Sequence, residues 1–126
     1  MKHLFTVLLV ASSEVCFAQG NLQFNQVLNF DYELVTGAGA SGQVAGVLTV
    51  PAGKVWKITS ASTSESGTVD FERTLQVNNH VLYERRQNAQ ISMNTPYWLS
   101  TGNHTVEMFG GARIASLSVV EFNVIP

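Results

Sequence analysis

The stretch LQFNQVLNFDYEL, Leu22 to Leu34, decides the fold class. Its even positions read Leu22, Phe24, Gln26, Leu28, Phe30, Tyr32 and Leu34, and the odd positions between them Gln23, Asn25, Val27, Asn29, Asp31 and Glu33. Successive side chains of an extended chain point to opposite faces. Alternation of this kind is a strand with one apolar and one polar face, either a single long strand or two in line with a bend.

The pattern continues along the chain, and helical periodicity is almost absent. Gln43–Val50, Val55–Thr63, Val69–Val77 and His80–Arg86 read as further strands, followed by a short segment around Ile91 and Met93, then Tyr97–Leu99, His104–Phe109 and Ile114–Ile125. Gly, Asn and Ser turns separate them, and TGAGASG (Thr36–Gly42) reads as a flexible loop with no side chains able to pack. The expectation is an all-β chain: a single jelly-roll-like β-sandwich of about eight mostly antiparallel strands. The last strand is apolar on both faces, through Leu117 and Val119 on one and Val120 and Phe122 on the other. It is therefore expected at the centre, covered on both sides.

Two turns allow sharper statements. Asn tolerates positive φ, so Asn78-Asn79 suits a two-residue type I′ turn. That register sets Val77 opposite His80, Leu75 opposite Leu82, and Arg73 opposite Glu84, giving Arg73 a carboxylate across the strand pair. In VPAGKVWKI (Val50–Ile58), Pro51 fixes φ, Gly53 relieves the turn, and Trp56 and Ile58 point together toward the core. LSTGNHTVEM (Leu99–Met108) has the same grammar and reads as a second, similar corner.

The N-terminal segment MKHLFTVLLVASSEVCFAQG reads as a secretory signal peptide with cleavage after Ala18, leaving residues 19–126 as one domain. Its apolar run is far shorter than the about 20 residues a spanning helix needs, and no later stretch is longer. The only cysteine, Cys16, lies in this leader. An exported domain of this size without disulfides must be held by its core or by association with other subunits. Lys2 and Glu14 would leave together, so the net charge stays −2, with no basic cluster for nucleic acid or an anionic membrane surface. Exported here covers periplasm, outer surface and medium alike.

Chemistry is sparse. VPAG resembles the entrance to a cupin metal site, but Lys54, Val55, Trp56, Lys57 and Ile58 follow it, and none is a ligand of the kind such a site needs. Outside the leader the only histidines are His80 and His104; both flank turns and read as solvated polar residues. No nucleophile elbow is present, and the glycine runs do not join a strand to a helix. Asp70 and Glu72, about 6–7 Å apart on one strand face, match a glycosidase spacing, yet alternating acids are ordinary on a solvated strand. No enzyme, metal or cofactor is expected.

TVPAGKVWKI (Thr49–Ile58), YWLSTGNHTV (Tyr97–Val106) and EFNVIP (Glu121–Pro126) together resemble small exported β-sandwich proteins of Gram-negative bacteria. In those a V-P-A-G-K-x-W-K-I strand precedes a W-L-P-x-G hairpin and a terminal E-F-N-x-x-P. The similarity runs from about Val47 to Pro126 and departs at Ser100, where the pattern prefers Pro. It implies fold and export but no activity, because such proteins are largely unassigned.

Two roles fit. The first is a non-catalytic structural or assembly module that associates with itself or with other surface proteins. The second is a carbohydrate-binding module. Tyr97 and Trp98 are adjacent in one strand, so one of them should face a surface, with Arg85, Arg86 and Gln87 on the preceding strand as polar contacts.

Overall fold

The computed structural model describes residues 21–65, 72–88 and 90–126. The expected leader, and Val69, Asp70 and Phe71 at the start of an expected strand, lie outside these residues. Among the described residues nine strands follow one another: β1 (Asn21–Glu33), β2 (Gly39–Val50), β3 (Lys54–Ser64), β4 (Arg73–Val77), β5 (His80–Arg85), β6 (Ile91–Met93), β7 (Tyr97–Leu99), β8 (Gly102–Gly110) and β9 (Ile114–Ile125).

They form two antiparallel sheets, ordered β1-β9-β3-β7 and β2-β8-β4-β5-β6. The pairs β1–β9, β2–β8, β3–β7 and β4–β5 are nested, each enclosing the next in sequence. One long hairpin wrapped around itself makes this arrangement, which is a jelly-roll sandwich. No helix among the described residues is long and apolar enough to cross a membrane.

The core fills the space between the sheets. Trp56, Ile58, Leu99, Leu117 and Val119 of the four-stranded sheet meet Leu48, Leu75, Val77, Leu82, Val106 and Met108 of the five-stranded one, all buried. The two similar corners touch each other: Thr101 Oγ1 lies 3.2 Å from the Pro51 carbonyl and 3.1 Å from that of Lys54. Gly53 has φ of 72° and Asn78 and Asn79 have φ of 51° and 63°, the left-handed backbone that both turns demand.

Three expectations need correction. TGAGASG is not a loose loop: β2 begins at Gly39, Ala38 is buried, and a Cβ at Gly42 would strike the Phe109 ring. Small residues here admit a neighbour's side chain. β9 is central, between β1 and β3, but only one of its faces is covered; Val120 and Phe122 are partly exposed and Val124 exposed.

The Arg73–Glu84 pair does not form. Val77 does oppose His80, but Leu75 then opposes Tyr83 and Arg73 opposes Arg85. Leu82 is an extra residue on β5, a β-bulge that lets both Leu82 and Tyr83 enter the core. Beyond it every partner shifts by one, which sends Glu84 opposite Thr74 and onto the other face. Buried Arg73 has Glu65 at 3.8 Å instead, while Glu84 lies 3.4 Å from Arg86.

Candidate interaction face

The outer face of the β1-β9-β3-β7 sheet divides into two halves. Register places Leu22 beside Val124, Phe24 beside Phe122 and Val55, and Val27 beside Val120, Lys57 and Trp98. These three rows are apolar apart from Lys57. By strand geometry they cover about 13 Å along the strands and about 14 Å across them. Phe24 is 60 % exposed and Trp98 46 %. The Trp98 and Phe122 rings lie 5.6 Å apart, tilted by 34°, and Lys57 Nζ sits 5.4 Å from the indole centroid. A cation over a ring at an exposed site contributes about 0.5–1 kcal/mol.

Past Val120 the face becomes polar. Ser118 Oγ donates to Asn29 Oδ1 at 2.7 Å, Ser116 Oγ to Asp31 Oδ1 at 2.6 Å, and Thr59 Oγ1 to the Ser118 carbonyl at 3.2 Å. Ser60, Ser62 and Ser64 of β3 are exposed beside them.

Alternation alone would put Leu22 and Phe24 on the same face as Leu28, Phe30 and Tyr32, which pack on the core. A β-bulge reverses this. Phe24 pairs with Phe122 and Gln26 with the next residue of β9, Glu121, leaving Asn25 as the extra residue. Asn25 and Gln26 both turn to Glu121: Asn25 Nδ2 donates to its Oε1 at 2.5 Å and Gln26 Nε2 at 3.0 Å. Leu22 and Phe24 are thereby turned outward.

Glu121 is 3 % exposed and anchors this end of the sheet. Trp56 Nε1 donates to its Oε2 at 2.7 Å, and Lys54 Nζ, which also bonds Asn123 Oδ1, lies 4.0 Å from its Oε1. Burial pushes the carboxyl pKa up. The hydrogen bonds from Trp56, Asn25 and Gln26 and the charge of Lys54 more than offset this, and the group titrates below the ordinary value.

The residues singled out from the sequence scatter over the molecule. Tyr97 faces inward, half-buried, and stacks on His80 at 4.2 Å with rings 12° from parallel. Trp98 faces outward on the other side of the same strand. Arg85 ends β5 of the five-stranded sheet and Arg86 follows it; they lie five and six positions from His80, roughly 15–20 Å along an extended chain. Trp98 and the two arginines are not assembled into one site. Trp56 lies in the core, and Asn78 and Asn79 shape the turn.

His104 is buried, not solvated. Its Nε2 donates to the Ser100 carbonyl at 2.7 Å, which leaves Nδ1 to accept from Asn78 Nδ2, also at 2.7 Å. Among the described residues no group of three or more His, Cys, Asp or Glu side chains could hold a metal ion.

Sequence reasoning missed Leu22 and Phe24 as surface residues and set Val27 on the outward face without reading an apolar patch there. The signal was present: polar Gln26 occupies an apolar position, and apolar Val27 a polar one. No family model matches the chain, and no curated protein or solved structure matches it.

Proposed function

We propose that this protein is a non-catalytic, exported structural or assembly module that associates with copies of itself through the apolar half of this outer face. The supporting observation is the coverage of that half by exposed or half-buried apolar side chains, in three rows that begin at edge strand β1, the longest of which crosses Lys57 to reach edge strand β7. Burying apolar area contributes about 25 cal/mol per Å². A patch of one chemistry is complementary to itself about a two-fold axis, and Lys57 is its one cation. Export is supported by the leader-like N-terminus and by the sequence resemblance.

Light scattering of residues 19–126 over a range of concentrations tests the reading. The expected mass is two chains or more, falling to one when Phe24→Asp and Trp98→Asp are combined. A single-chain mass at every concentration overturns self-association.

The second reading, carbohydrate recognition, draws on the exposed Trp98 ring. Its partners on that face are Lys57 and Phe122, with few hydrogen-bonding groups to meet sugar hydroxyls. A saturable change in tryptophan emission on adding polysaccharides, at constant mass and abolished by Trp98→Ala, would transfer the function to this class.

A further inference from the structure

We infer that Glu121 is a positioning residue for the association face: by holding the Asn25 bulge it selects which way Leu22 and Phe24 point. This rests on the proposed self-association for its purpose, but not for its geometry.

The first five residues of β1 have two available registers on β9. In the bulged one Leu22 opposes Val124 and Phe24 opposes Phe122, facing solvent. Without the bulge, the same residues slide by one, Leu22 opposes Ile125, Phe24 opposes Asn123, and both apolar side chains turn to the inner face. Burial of apolar surface favours the unbulged register. What favours the bulged one is local: two side-chain amides from consecutive residues reach one buried carboxylate oxygen, an arrangement only a bulge allows, since consecutive residues of a regular strand face opposite ways. Hydrogen bonds to a charged acceptor are the stronger kind. Glu121 thus keeps an apolar surface exposed against the hydrophobic tendency of the strand that bears it.

Cross-strand disulfides read the register, because residues 19–126 contain no cysteine. Leu22→Cys with Val124→Cys can close only in the bulged register, and Leu22→Cys with Ile125→Cys only in the regular one. The unaltered background should cross-link the first pair. Asn25→Ala with Gln26→Ala should reverse the preference by about ten-fold or more, and Glu121→Gln should shift it the same way. Deleting Asn25 removes the extra residue itself, so this deletion combined with Gln26→Ala should return cross-linking to the Val124 pair. The mass of the cysteine-free versions should fall and recover in parallel. Retention of the Val124 cross-link in both the Asn25/Gln26 and the Glu121 variants overturns the inference, as does loss of both cross-links through detachment of the strand. A register that switches while the mass stays constant keeps the latch and defeats the self-association reading.

Discussion

Trp56 Nε1 donates to Glu121 Oε2 at 2.7 Å across the β3–β9 pair, joining the indole that fills the core to the carboxylate that holds the β1 bulge. A glutamine at 121 removes the charge that Asn25, Gln26, Trp56 and Lys54 address and turns one of the two acceptor oxygens into an amide donor facing N–H groups. Glu121→Gln should therefore cost about 2 kcal/mol or more, the scale for breaking a buried, hydrogen-bonded charge. Urea denaturation measures it. The folded carboxyl titrates below its ordinary 4.5. The stability it contributes is complete above that value and is lost as pH falls through the lower folded one. Glu121→Gln should flatten this acid limb of the stability profile.

The two asparagines of the β4–β5 turn should differ under substitution. Both hold positive φ, which glycine adopts freely. Asn79→Gly should change stability by less than about 0.5 kcal/mol. Asn78 also bonds His104 through Nδ2 and accepts from the Thr105 amide through Oδ1, so Asn78→Gly should cost about 1–3 kcal/mol. His104→Ala should cost a similar amount. In the double variant the two losses should not add, because they remove one shared network.

Gly110 and Gly53 have nearly the same φ, 71° and 72°, and different surroundings. A Cβ on Gly53 meets open space, whereas one on Gly110 would collide with the Glu72 carbonyl oxygen. Gly53→Ala should cost about 1 kcal/mol for the left-handed backbone alone. Gly110→Ala should cost more than about 2 kcal/mol, because the backbone at Glu72, leading into β4, must also move. Thermal or urea unfolding of the two variants side by side checks the difference.

Trp56 is 4 % exposed and Trp98 46 %, so acrylamide should quench one emitting population and spare the other. Trp98→Phe should leave only the protected one. Raising protein concentration should shield Trp98 if the apolar half is an association face, and sulfate should strengthen the effect by favouring apolar burial. Quenching that is independent of concentration would argue against Trp98 lying in any self-contact.

Much of the architecture was legible beforehand. Period-two alternation marks strands because a strand has two faces, and Asn-Asn, Pro-Ala-Gly and Thr-Gly mark turns because few residues reach the backbone angles required. Trp56 and Ile58 were recognisable as core residues for the same reason. The Tyr97–Trp98 division was legible too, though not which of the two faces water: that depends on which side of β7 the second sheet packs.

The sequence by itself determined an all-β sandwich, most of its strands and turns, and the face that most of its apolar residues share, since these follow from spacing within a few residues. Only the tertiary structure decided where that parity fails. Leu82 enters the core as an extra residue, which separates Arg73 from Glu84. Asn25 is turned to Glu121, 96 positions away, which sends Phe24 to the surface. A bulge needs a partner to make it favourable, and the two partners meet only when distant strands pair.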